Sequence, residues 1–215
     1  MTSVNLWTEP EHALRYLRER ESLPHRTDGL EVMLEILPPT VARVLDLGTG
    51  DGITLALVLS AFPDARGFGV DFQEEMLRRA RERFDGDDRV ELRAHNLDAP
   101  LPAGLTGFDA VVSSFAIHHL APARQHALYA EVFARLNPGG IFVNVEHVAS
   151  RSDELHVEFL ALLGRTLADD DPSNQLVTVE TQLGWLDGIG YENADCLWKW
   201  RELAVLAGWK PPSTR

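Results

Sequence analysis

The chain has 215 residues, 45% of them hydrophobic and 25% charged, with a formal net charge of −13. That is apolar material enough for one sizeable globular domain, and an acidic balance that repels nucleic-acid phosphates unless cations are gathered locally. No run of about 18 apolar residues occurs, so no membrane-spanning helix is expected, and the single cysteine, Cys196, fits a reducing, cytoplasmic setting.

The chain begins MTSVNLWTEPEH, without the basic segment and apolar run of a secretory signal. Residues 9–20 place Ala13, Leu14 and Leu17 at helical spacing, and residues 28–37 do the same with Leu30, Met33, Leu34 and Leu37. Pro24 separates the two helices and Pro38-Pro39 ends the second. Residues 1–38 therefore read as an N-terminal helical lid and 39–215 as an α/β domain, together one compact unit. The period then changes. VARVLDL (41–47) is a short apolar run that stops at glycines, followed by a helical run at 53–61. ARGFGVD (65–71) and QEEMLRRARERF (73–84) repeat the pair, with the arginines of 78–83 on a solvated helix face. RVELRA (89–94), FDAVVSS (108–114) and GIFVNVEHV (140–148) are further strands, and a helix at 122–136 opens with Pro122 in its first turn.

The alternation ends there. Residues 153–167 form an amphipathic helix, DDDPSN (169–174) a polar loop, and a helix from 179 to 188 stops near Gly190. YENADCL and ELAVLAGW follow, separated only by WKWR, a link too short for a parallel crossover. The expected fold is α/β, a doubly wound, mostly parallel seven-stranded sheet with a terminal antiparallel strand.

The strongest chemical signal is VLDLGTGDG (44–52), a strand, three glycines and a helix start. The spacing is Asp46-x-Gly48-x-Gly50-x-Gly52, not the G-x-G-x-x-G of a dinucleotide site. So bare a backbone lets a ligand lie directly on the turn, with the helix N-terminus open to an anionic group. Asp71, ending the second strand about twenty residues on, stands where such folds hold ribose hydroxyls, which leaves Asp46 to engage a ligand ammonium.

DLGTGDG, the strand ending GVD, the segment FDAVVSSFAIHHL and the segment RLNPGGIFVNVE resemble those of class I S-adenosylmethionine-dependent methyltransferases, over roughly residues 25–210. The resemblance implies a Rossmann-like methyltransferase fold with S-adenosyl-L-methionine as cofactor. It implies that Gly48, Thr49 and Gly50 line the methionine end, that Asp71 binds the ribose, and that Phe72 and Met76 flank the adenine. An acid usually reads the adenine edge in this family; here Asn96 occupies that place with Leu97 after it, and Asp98 competes for the role. Arg26, before the helix that leads into the first strand, is a candidate partner for the cofactor carboxylate.

Ligands of open α/β sheets bind at the carboxyl ends of the strands. The fourth strand should deliver Ser113, Phe115, His118 and His119 there, with His119 expected to pack as a structural residue, and the fifth Glu146 and His147. The WKWR turn should bring Trp198, Lys199, Trp200 and Arg201 to the same edge, with one of the two tryptophans serving as core. His118, His147, Glu146, Trp200 and Arg201 are thus the catalytic and substrate-binding candidates. The histidines lack ligand spacing, so no metal is expected. The place of an Asn/Asp-Pro-Pro-aromatic tetrad reads SSFA, which argues against DNA or amino-group methylation in the manner of those enzymes.

The reading is a cytoplasmic methyltransferase, monomer or homodimer, acting on a small-molecule oxygen or nitrogen acceptor. Two alternatives stand beside it. One is an enzyme like the carboxy-S-adenosylmethionine synthases linked to tRNA modification, with Arg201 holding the extra carboxylate. The other is a non-catalytic S-adenosylmethionine-binding partner subunit.

Overall fold

Strand β1 (Arg43–Leu47) is buried from Val44 onward, as a central parallel strand covered on both faces must be. Side chains alternate across a strand. Val44 therefore joins the apolar layer on one face and Leu45 and Leu47 the layer on the other. The computed structural model describes Glu11 and residues 23–213; the helix expected at 9–20 lies, but for that one residue, outside the described residues.

Around β1 the chain builds α1 (Arg26–Ile36), α2 (Ile53–Ala61), β2 (Arg66–Asp71), α3 (Glu74–Arg83), β3 (Val90–Ala94), β4 (Phe108–Ser114), α4 (Pro122–Arg135), β5 (Leu136–His147), α5 (Asp153–Leu162), α6 (Val179–Ile189), β6 (Glu192–Trp200) and β7 (Leu203–Trp209). The seven strands lie in the order β3-β2-β1-β4-β5-β7-β6. β1 pairs in parallel with β2 and β4, and β4 with β5. Only β7 runs against its neighbours, β5 and β6. It is last in the chain but sits one place in from the sheet edge. The layers are helical: α1 and α2 cover the Val44 face through Leu30, Met33, Leu55 and Val58, and α4 and α6 cover the other through Leu128, Val132 and Leu186. α1 is thus anchored in the core by Met33, which has no solvent exposure.

Several details differ from the sequence reading. α5 stops at Leu162 rather than 167, because Gly164 takes the left-handed φ of +68° that ends a helix. The hairpin turn between β6 and β7 is only Arg201–Glu202, with Arg201 at φ +54°; Trp198–Trp200 continue the strand. Residues two apart on a strand share a face, so Trp198 and Trp200 both pack on the Val44-side core instead of one alone.

A buried polar chain crosses the α4 side. Tyr129 Oη donates to Gln182 Oε1 at 2.5 Å. Asn144 Nδ2 donates to Tyr129 Oη at 3.0 Å and to Glu146 Oε2 at 3.1 Å. Every member has at most 1% exposure, so each lost bond strands a desolvated group. Replacement Tyr129→Phe should cost about 1–3 kcal/mol, read as a lowered urea midpoint at unchanged slope. An unchanged midpoint would show that Gln182 and Asn144 find other partners.

Candidate active site

The glycine turn after β1 is bent by three left-handed glycines, Gly48 (φ +67°), Gly50 (φ +56°) and Gly52 (φ +79°). They do different jobs. A Cβ on Gly48 would lie 2.2 Å from Ala116 Cβ, so this glycine lets the turn pack against the loop after β4. A Cβ on Gly50 would meet nothing within 4 Å, since the space above it is the floor of a crevice. Asp71, at the end of β2, locks the turn: Oδ2 accepts from Gly50 N–H at 2.9 Å and Oδ1 from Gln73 N–H at 2.8 Å. Burial raises the Asp71 pKa, and these amide hydrogen bonds oppose the rise.

The crevice opens to solvent and spans about 850 Å³ with the solvent at its mouth included. Its walls include Arg26, Gly48, Thr49, Gly50, Asp71, Phe72, Met76, Asn96 and Leu97, all named from the sequence. Asp98 lines it too, and its N–H donates to Asn96 Oδ1 at 2.9 Å. Arg26 Cζ lies 4.9 Å from the centroid of Phe115, whose φ of +53° is a strained value for so bulky a residue. Asp46 sits beneath the turn, outside the wall. Its Oδ2 accepts from Thr49 Oγ1 at 2.7 Å, and burial raises its pKa to about 7. Ser113 is also outside, its hydroxyl turned to Leu47 O at 2.9 Å; alternation puts its neighbour Ser114 on the wall instead.

A family profile described as a methyltransferase domain matches residues 44–140. The chain is 31% identical over 140 residues to a ubiquinone/menaquinone biosynthesis C-methyltransferase UbiE of Desulfotalea psychrophila, covering 62% of the chain and 55% of that relative. It is 26% identical over 180 residues to a trans-aconitate 2-methyltransferase of an Acidovorax species, covering 81% of the chain and 58% of the relative. The chain is thus similar to class I S-adenosylmethionine-dependent methyltransferases, and residues 44–140 match the methyltransferase domain of that family. The crystal structure of the S-adenosylmethionine-dependent methyltransferase SibL superposes with a TM-score of 0.72 at 18% identity, over 94% of this chain and 58% of that one, a likeness of fold. The chain spans just over half the length of these curated relatives.

S-adenosylmethionine, the cofactor of the family, suits this crevice. Two buried polar atoms on the wall, Ser114 Oγ and His95 Nε2, and a third beneath it, Asp46 Oδ1, have no protein hydrogen-bond partner, as expected where a polar ligand completes them. Some of the supporting residues were not read from the sequence. Arg83, assigned to a solvated face, reaches back to Asp51, donating to its backbone oxygen at 2.7 Å and its carboxylate at 2.9 Å. Arg124 donates to Leu97 O at 2.6 Å and Ala99 O at 2.9 Å, fixing the loop after β3. Both roles depend on loops that meet only in the fold.

The histidines reverse the expected order. His119, expected to be structural, lines the crevice, while His118 is buried behind it with ring centroids 4.1 Å apart. His118 pairs through Nδ1 with Glu146, and burial pushes the imidazole pKa down to about 3, with His147 acting in the same direction. His147 and Glu146 are likewise off the crevice wall. His147 Nε2 lies 2.9 Å from Glu202 Oε2, and His156 Nδ1 lies 3.0 Å from Oε1 of the same carboxylate. Glu202, with no exposed surface, is another residue that sequence reasoning missed; its only signal was an acid beside the WKWR turn.

The hairpin turn does lie at the carboxyl edge, where Leu203 faces His147. It lies too far along that edge to wall the crevice. Trp200 packs between His25, at 4.6 Å, and Phe159, at 6.1 Å, and Arg201 reaches Glu158 at 3.7 Å on the exposed surface. Two further strands, β5 and β7, separate β6 from the β1–β4 junction. Among the described residues no group of three His, Cys, Asp or Glu side chains is placed to hold a metal ion.

Burial raises Glu146 from 4.5 to about 7, with the Asn144 hydrogen bond opposing. The native side chain thus keeps its proton across a window in which the unfolded chain has released it, and the contribution of Glu146 to stability falls as pH rises from 4.5 to 7. Glu146→Gln has no such loss. Its stability relative to wild type should improve steadily across that window in urea unfolding. A flat difference would show that Glu146 ionises at its ordinary value.

Proposed function

We propose that the protein transfers a methyl group from S-adenosylmethionine to a small molecule at an oxygen or nitrogen atom. The observation that carries this reading is the continuity of one crevice. It runs from the glycine turn and Asp71 to Phe115, His119 and Leu120, so a polar ligand on the turn and a small acceptor would share one set of walls. The cofactor supplies an electrophilic methyl group, and the chain supplies position and a shielded site. In this reading Asp71 accepts the ribose hydroxyls, and Gly48, Thr49 and Gly50 leave room for the methionine end over the turn. Asp46 sets a negative charge beneath it. Phe72 and Met76 flank the adenine, Asn96 and Leu97 read its edge, and Arg26 answers the carboxylate.

The similar proteins named above include one described as a C-methyltransferase and one as a trans-aconitate 2-methyltransferase, both with small-molecule acceptors in their names. The acidic balance of −13 supports the same class of acceptor over a nucleic acid. Arg201, the candidate cation for a carboxylated cofactor, pairs with Glu158 outside the crevice and so lends that alternative no support.

S-adenosylmethionine and S-adenosylhomocysteine should bind with dissociation constants of about 1 μM or tighter. Asp71→Ala should weaken both by roughly 1.5–3 kcal/mol, since it removes charge-assisted bonds to the ribose and to Gly50. Titration calorimetry decides this: normal binding by the variant, or preference for a nicotinamide dinucleotide, would refute the assignment.

A further inference from the structure

His119 stands on the crevice wall, and its other side is built into a hydrogen-bonded relay. Its Nδ1 lies 3.1 Å from Ser173 Oγ, and Ser173 Oγ donates to Asp171 Oδ1 at 2.7 Å. Ser173 is 3% exposed and its own N–H also donates to Asp171 Oδ1, at 2.8 Å. The loop that carries it is tied to the histidine segment: Gln175 N–H donates to His118 O at 2.7 Å. Gln125 Nε2 donates to both Leu120 O and Gln175 O at 2.8 Å. Asp171 and Ser173 are off the crevice wall, so they act on whatever occupies it only through the imidazole.

A serine hydroxyl has one proton. Given to the Asp171 carboxylate, it leaves the oxygen to accept, so Nδ1 of His119 must be the protonated nitrogen and Nε2 the basic one. The geometry points to His119 as the general base of the reaction, held in the Nδ1–H tautomer by Ser173 and Asp171, and so to an acceptor that bears an ionisable O–H or N–H. This rests on the methyltransferase reading above and deepens it. His119 Nε2 takes the acceptor's proton as the acceptor's electron pair bonds to the methyl carbon and the carbon–sulfur pair returns to sulfur. A neutral imidazole becomes an imidazolium as the sulfonium becomes a thioether, so charge balances, and Asp171 stabilises the new cation through Ser173. Phe115 and Leu120, on the same wall, would receive the apolar body of the acceptor.

The relay is tested in the full chain labelled with 15N-histidine, the His119 signals being assigned by their loss in His119→Gln. Long-range proton–nitrogen spectra should show neutral His119 with its proton on Nδ1. Ser173→Ala should move it to a mixture or to Nε2, and Ser173→Thr should keep it on Nδ1. A wild-type proton on Nε2, or a tautomer indifferent to Ser173→Ala, overturns the relay. Catalysis is read as S-adenosylhomocysteine formed with catechol, 4-nitrophenol, benzylamine and the carbon acid acetylacetone. With the best oxygen or nitrogen acceptor, His119→Gln should fall about a hundredfold while S-adenosylmethionine affinity by calorimetry stays within about threefold. Parallel loss of affinity and turnover makes His119 structural and overturns the proposal. So does turnover with acetylacetone alone, or with none of the four. Failure of the wild type to bind S-adenosylmethionine at all sinks instead the methyltransferase reading on which the base depends.

Discussion

The two hydrogen bonds accepted by the Asp71 carboxylate hold the ligand end of this protein together. One comes from the glycine turn after β1 and the other from the start of α3, so a single side chain sets the spacing of two strand ends. Parallel strands bring every βα turn to one edge of the sheet, but they do not by themselves hold those turns in register. Asp71 does so on one side of β1 and the Gly48–Ala116 packing on the other, where no larger side chain fits. The crevice is the gap that these two constraints leave open.

Charge is managed around that gap by burial. Asp46 lies under the turn and the Glu146–His118 pair behind the β4 loop, all nearly inaccessible to water. Burial disfavours the ionised form of each, raising the acids and lowering the imidazole. Groups so placed respond strongly to a partner that restores the charged form, as a cationic ligand would for Asp46. Farther along the same edge, Glu202 collects His147, His156 and Ser150 and fastens the loop after β5 to the hairpin turn. The carboxyl edge of the sheet is therefore assembled from segments far apart in the chain, each pinned by a buried polar group.

The elements and their order were legible because hydrophobic period is a local property. Runs such as VARVLDL and FDAVVSS have few conformations that bury them, and WKWR is too short for anything but a hairpin. Most of the crevice lining was legible for a related reason: Gly48, Gly50 and Asp71 are residue types that a bare turn and a strand end require at that spacing. The errors fell where a residue's surroundings come from elsewhere in the chain. Ser113 against Ser114 and His118 against His119 differ by one position, and which of each pair meets the crevice depends on the local twist after β4 and on the loop carrying Ser173. Trp200 and Arg201 were placed at the correct edge but at the wrong distance along it.

The sequence by itself determined the seven strands, the glycine turn that lines the crevice and the edge of the sheet at which the crevice opens, since spacing and period depend on neighbours in the chain. Tertiary structure alone decided which histidine faces the crevice, which arginines brace it and what Glu202 holds. Those outcomes are set by contacts between Arg83 and Asp51, between Arg124 and Leu97, and between His119 and Ser173. The members of these pairs are separated by 27 to 54 positions. Hydrogen bonds across such spans exist only once the sheet has brought the loops together.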